Sequence, residues 1–264
     1  LWLPNAYAYA PSMITVFLSA TATKVSLYVF FRFFFGVFTD EISFQHFHLD
    51  KILLPLSVLA IFIASFVAVY QDNIKRMFAY SSVAQIGYMT LGIGLASKSG
   101  SIASMVYLFN HAIIKGGLFL AMACIVLRIK SVQLENFAGL GKRMPWTMAA
   151  IVLLGLGLIG VPFTAGFISK WHLLVAAIEQ NHWLAVVVIV GGSLLTIMYI
   201  WKIVEHAYFK SPRSDLEQTT NVISEAPLQM LIPLWLLVVA NFYFGLNTSF
   251  SFGFANTAIN TLFQ

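Results

Sequence analysis

The chain has 264 residues, of which 59% are hydrophobic and only 9% charged, with a mean hydropathy of +0.85; a soluble domain carries roughly 25% charged residues. A water-soluble globular domain is therefore excluded. The net charge of +5 does not mark a nucleic-acid partner either, because the basic residues fall in short loops between apolar runs and form no stripe.

The opening LWLPNAYAYAPS has no initiator Met, no basic n-region and no cleavage site, so it reads neither as a natural start nor as a signal peptide, and an upstream segment is expected. Seven apolar segments follow, at 11–35, 52–70, 74–96, 102–127, 146–178, 183–201 and 228–246. They are long and apolar on both parities, which fits helices and not the short alternating strands of a barrel. The expected fold is all-α, a polytopic membrane helix bundle of about seven transmembrane helices, in a single membrane domain over residues 1–264.

Lys24 sits near the middle of the first segment, where reaching a headgroup is hard, with Ser19, Thr21, Thr23 and Tyr28 within about a helical turn to hold water. The third segment opens with a charged turn, Lys75 and Arg76 being expected as interfacial, lipid-side anchors. It then places Ser81, Gln85 and Tyr88 on one face, which could line a hydrophilic passage. The fourth holds Lys115, with His111 four residues earlier and Tyr107 four before that, so the three share a face. A lone His has many buried uses; beside a mid-membrane Lys the relay is the better reading. Cys124 reads as a small buried apolar residue.

The fifth segment is too long for one straight crossing. Its centre, GLGLIGVPFTAGFISK, contains Pro162 between Gly160 and Gly166, so a helix break is expected there, with Lys170 just beyond it. Gly155, Gly157 and Gly160 match G-x-G-x-x-G, but no strand precedes them and Pro162 follows, so helix packing explains them better than a nucleotide site. Glu179 and His182 read as solvated loop residues. The stretch 206–226, with Lys210, Arg213, Asp215, Glu217 and Glu225, reads as a cytoplasmic loop before the last helix and tail, 227–264.

Lys75, Arg76, Arg128, Lys130, Lys142, Arg143, Lys202, Lys210 and Arg213 collect on one side, and only Arg32, Lys51 and Lys98 on the other. That asymmetry makes the first side cytoplasmic, with the first residues on it and the carboxyl terminus on the outer side. Lys24, Lys115 and Lys170 remain inside apolar segments, with no acidic residue in the membrane beside them. A charge at bilayer depth costs roughly 2.5–3.5 kcal/mol even on lenient scales, so such residues face a bundle interior or a wet cavity. Lysine, unlike arginine, also has a proton it can release. The pattern points to a proton relay through Lys24, Lys115, Lys170 and His111, with no cofactor and no metal-ligand spacing. The partners expected are lipid, protons and an exchanged Na+ or K+; any enzymatic role would be that of a translocase subunit.

LWLPNAYAYAPS, LSATATKVSLYVFFR, DNIKRMFAYSSVAQIGYM, NHAIIKGGLFLA and VPFTAGFISKW resemble, in this order, the signature of the antiporter-like membrane subunits shared by respiratory complex I and Mrp-type cation/proton antiporters. The likeness extends to about Lys210, so that 11–209 is the family core. In that family fourteen helices form two inverted five-helix repeats plus flanking helices, which implies that this chain is the second half, in a bacterial plasma membrane and among other membrane subunits. The family's intramembrane glutamate and one further lysine would lie upstream. By position, Lys24 matches the central lysine joining the two half-channels, Lys115 with His111 the pair on the eleventh helix, and Lys170 the residue after the break in the twelfth. Lysine at both Lys24 and Lys170 implies an Mrp D-type protein first and a complex I N-type subunit, or a related hydrogenase subunit, second. A transport-dead scaffold is disfavoured by the cost of three unpaired buried cations.

Overall fold

A computed structural model describes residues 2–39, 42–211 and 224–262. All seven apolar segments are helical, and no strand occurs among the described residues beyond one antiparallel bridge between Asn73 and Gln133. The helices are α1 (Trp2–Tyr9), α2 (Ser12–Val37), α3 (Leu49–Val69), α4 (Ile74–Gly94) and α5 (Lys98–Ile129). They continue with α6 (Pro145–Ile159), α7 (Ala165–Glu179), α8 (Trp183–Phe209), α9 (Leu228–Leu246) and α10 (Ser249–Leu262).

Local chemistry places several boundaries. Asn73 accepts from Arg76 N at 3.1 Å and Ser97 from Gly100 N at 3.1 Å, which caps the first turns of α4 and α5. Among the described residues five helices, α2, α3, α5, α8 and α9, are long and apolar enough to cross a membrane alone. α4 is too polar for that and is buried on nearly every side. It lies beside α5, the 32-residue hub on which α2, α6, α7, α9 and α10 also pack. A polar helix is tolerated at such depth only because protein, not lipid, surrounds it.

The fifth segment is broken as its glycines and proline imply. α6 stops where Gly160 adopts the left-handed conformation, φ +90, and α7 restarts after Thr164, whose hydroxyl caps Phe167 N at 3.4 Å. The two halves press together at Gly157 and Gly166, where a Cβ on Gly166 would strike the Gly157 carbonyl.

Three expectations change. Lys75 is no lipid anchor: it is 5% exposed and donates to Ala10 O, just past the short helix α1, at 3.2 Å, while Arg76 donates to Asn5 Oδ1 at 2.9 Å. The carbonyls at the end of α1 lack helical partners, and a lysine supplies them. The tail after α9 is also a helix, α10, packed on α5. The loop expected over 206–226 begins later, because α8 continues through a π-type turn, Glu205–Phe209; Arg213, Asp215 and Glu217 lie outside the described residues.

Glu225 then caps α6, whose Met144 offers no side-chain cap. Its carboxylate accepts from Trp146 N at 2.9 Å, Thr147 Oγ1 at 2.5 Å and Ala226 N at 3.1 Å. A carboxylate at a helix amino terminus satisfies orphan N–H groups and complements the dipole. Glu225→Ala is therefore expected to cost about 1–2 kcal/mol, read as a lower thermal midpoint of the detergent-solubilised complex; an unchanged midpoint would remove this role.

Candidate functional site

Lys24, Lys115 and Lys170 are 6%, 0% and 6% exposed, and none extends to the lipid surface. Each is held by carbonyls or hydroxyls. The ion pairs of Lys202 with Asp72 and of Lys210 with Glu205 lie away from them.

Lys24 follows a π-type turn, Leu18–Ala22, in α2. The wider turn disturbs the regular ladder, and the Lys24 ammonium donates to Ser19 O within it. Of the hydroxyls expected around Lys24, Ser19 and Thr23 are inside, whereas Tyr28 is 44% exposed and Thr21 Oγ1 donates outward of the core to Phe17 O at 2.7 Å. One helical face cannot hold residues at all of these spacings, and the lysine side claims Ser19 and Thr23.

Lys115, on α5, donates across to α4, to Phe78 O at 2.8 Å and to Ser81 Oγ, with its Nζ 5.6 Å from the Phe78 ring centroid. His111, one turn away, is 2% exposed, and neither ring nitrogen has a hydrogen-bond partner. Both Lys24 and Lys115 act on this ring electrostatically, and Lys24 acts on Lys115. Lys24, His111 and Lys115 are thus brought together from α2 and α5. Tyr107 shares their helix face but turns elsewhere: its hydroxyl donates to Gln85 Oε1, and its ring stacks on Tyr88 with centroids 5.8 Å apart.

Lys170 reaches back over the helix break and donates to Leu158 O at 3.1 Å, Ile159 O at 2.9 Å and Ser193 Oγ at 3.0 Å. Its three protons therefore meet three acceptors. Two of these are the carbonyls left without partners where α6 ends, so the break and the lysine satisfy each other. Snorkelling, the rival explanation for Lys170, is not what its side chain does.

Further groups are not evident from the sequence pattern. α8 looks generically apolar, yet Ser193, Thr196 and Tyr199 recur on one of its faces, a three-residue spacing that could have flagged it. Thr196 and Tyr199 are fully buried; the Tyr199 hydroxyl lies beside Ser81 and Thr196 without completing a hydrogen bond. Asn110 donates to Ala165 O at 3.0 Å and Ser169 Oγ at 2.9 Å, tying α5 to α7. Thr23 Oγ1, Gln85 Nε2, Asn110 Oδ1, both His111 nitrogens and the Tyr199 hydroxyl are buried without protein partners. Such atoms are ordinarily satisfied by buried water. The arrangement gathers lysines, which have a proton to release, hydroxyls, which can both donate and accept, and buried polar atoms without protein partners.

Near the amino end of α4, residues including Tyr9, Gln71, Asp72, Asn73, Arg76 and Gln133 line a polar cavity of about 450 Å³. Phe78 and Ser81, which hold Lys115, lie on the next turns of that helix.

Residues 1–196 match the family described as NADH:quinone oxidoreductase/Mrp antiporter, transmembrane. The chain is 34% identical over 253 residues to NADH-quinone oxidoreductase subunit N of Desulforudis audaxviator, covering 93% of this chain and 50% of that protein. It is 28% identical over 238 residues to the D subunit of the Na(+)/H(+) antiporter of Alkalihalophilus pseudofirmus, covering 90% and 47%. A chain of the Mrp complex from Dietzia sp. shares the fold with a TM-score of 0.89 at 24% identity, over 100% of this chain and 55% of its own. The chain spans about half the length of the curated relatives it matches.

Proposed function

Since the chain belongs to the NADH:quinone oxidoreductase/Mrp antiporter transmembrane family, we propose that it is a proton-conducting half of an antiporter-like membrane subunit, with Lys24, His111, Lys115 and Lys170 as the relay. It is an integral membrane protein. The observation that carries the reading is the enclosure of three ammonium groups at 0–6% exposure among carbonyls and hydroxyls. A scaffold would gain nothing from that cost, whereas a relay requires groups that can be charged or neutral inside the membrane.

A proton on one lysine repels a proton on its neighbour, so loading at Lys24 is felt at His111 and Lys115. That coupling lets a push travel along the membrane plane. The polar cavity beside Arg76 is the entrance to this axis, on the side where the basic loop residues collect, which is cytoplasmic in this reading; the carboxyl terminus then lies outside. Residues 1–264 act as one membrane unit.

The motifs alone point to an Mrp D-type protein as the first expectation. The higher identity to the N-type sequence than to the antiporter's D-type sequence supports a complex I N-type subunit as the first reading and an Mrp D-type protein, exchanging Na+ or K+ for protons, as the second. Affinity purification of the native complex separates them: flavin and iron–sulfur proteins accompany the first, small hydrophobic subunits alone the second.

For the relay, Lys115→Ala and Lys170→Ala in the complete subunit are expected to lower proton transport into vesicles at least about tenfold at matched subunit levels, measured by dye quenching. Wild-type transport in both variants would end the proton-path reading.

A further inference from the structure

Lys24, His111 and Lys115 form one group, and Lys170 lies further along the same face of α4, beside Tyr88 and against Ser193 on α8. The Lys170 ammonium donates to Ser193 Oγ at 3.0 Å, and Ser193 in turn donates to Ile189 O at 2.9 Å. The Tyr88 hydroxyl reaches that same carbonyl at 3.4 Å, and the Lys170 Nζ lies 5.0 Å from the Tyr88 ring centroid. Tyr88 and Ser193 thus meet at one acceptor, the Ile189 carbonyl. Tyr88 is fully buried, and its hydroxyl occupies the space that a side chain at Gly192 would take, since a Cβ there would strike it.

The other end of this polar run belongs to Lys115. Its ammonium donates to Ser81 Oγ, and the Tyr199 hydroxyl, free of any hydrogen bond, lies beside Ser81 and within electrostatic reach of Tyr88. Every group in the run Ser81, Tyr199, Tyr88 and Ser193 is a hydroxyl, and a hydroxyl can accept one proton while giving up another. A buried tyrosine hydroxyl ordinarily finds a hydrogen-bond partner of its own. Tyr88 instead reaches, at 3.4 Å, a carbonyl that already accepts from Ser193, itself bonded to a lysine.

We propose that Tyr88 and Ser193 are the bridge over which Lys170 exchanges protons with the Lys115 group, Gly192 being bare so that the Tyr88 hydroxyl can enter. This rests on the lysines being the proton path. In one transfer, Lys170 releases a proton to Ser193 Oγ, Ser193 passes its own to the Tyr88 oxygen, and Tyr88 passes its own onward, through a water at the orphaned Tyr199 hydroxyl, to Ser81 and a neutral Lys115. One proton leaves Lys170 and one arrives at Lys115, each hydroxyl ending with the number it began with. No other group changes its charge.

The test uses the assembled complex in vesicles, with Ser193→Ala, Tyr88→Phe, Ser193→Thr and Lys170→Ala compared at equal subunit content. Ser193→Ala and Tyr88→Phe each remove one oxygen while leaving helix packing and the Tyr88–Tyr107 stack in place. Both are expected to lower proton transport at least tenfold, and Ser193→Thr, which restores a hydroxyl, to recover most of it. Wild-type transport in either of the first two variants overturns the bridge, as does a Thr variant no faster than the Ala variant. If Lys170→Ala also transports normally, the lysine path itself fails. Loss in Lys170→Ala with normal transport in Tyr88→Phe and Ser193→Ala removes the bridge alone.

Discussion

Lys24→Ala in the complete, assembled subunit is expected to lower proton transport by about 100-fold or more, the scale of losing a positioned proton donor, while assembly survives. Alanine is small and a good helix former, so it fits this helix without a clash. The lost ammonium made one hydrogen bond, to Ser19 O in its own helix, so no partner on another helix is abandoned. Taking a cation out of the membrane interior also removes a desolvation cost rather than adding one. Lost transport therefore cannot be assigned to lost stability. Lys24→Arg is the sharper companion. It keeps the charge that acts on His111 and Lys115, but guanidinium does not release its proton at working pH, so the Arg variant should fail as well. Near-normal transport in Lys24→Arg, with subunit levels matched, would show that Lys24 supplies only positive charge, and the relay role would be dropped.

Gly166→Ala is expected to damage both stability and transport. The added methyl would fall on the carbonyl carbon and oxygen of Gly157, and backbone cannot swing aside as the end of a side chain can. Gly157 has no room to retreat, because Asn241 fills the space on its own open side. Overpacking of this kind costs about 1–3 kcal/mol. The halves α6 and α7 must part, and Lys170 on α7 then loses Leu158 O and Ile159 O on α6. A lower thermal midpoint together with at least about tenfold slower proton transport is the expected result. An unchanged midpoint and rate would mean that the break is not held by this contact.

The three lysines are legible in the amino-acid sequence because each violates the composition of its surroundings, and a cation inside an apolar run has few innocent explanations. The break is legible for a similar local reason: Pro162 lacks a donor, and Gly160 can take a positive φ that other residues resist. His111 is found through helical spacing from Lys115. Spacing fails where a side chain leaves its own helix. Tyr107 shares the His111 face but bonds to Gln85 on α4, and Lys75 resembles a membrane anchor until α1 presents Ala10 O to it. α1 and α10 escape a search for apolar spans because they are too short or too polar to register as such.

What the sequence by itself determined is the class: an apolar, all-helical membrane chain with seven segments, one broken, and three cations that lipid cannot solvate. Those conclusions follow from composition and from the chemistry of single residues, which hold in any tertiary arrangement. Only the tertiary structure decided which groups meet. Lys170 is completed by carbonyls eleven and twelve residues back and by Ser193 on another helix; Lys115 is completed by α4. A buried ammonium takes whatever acceptors the packing leaves unsatisfied within reach, and which carbonyls and hydroxyls those are is set by where helices cross, a property that no one helix carries in its own sequence.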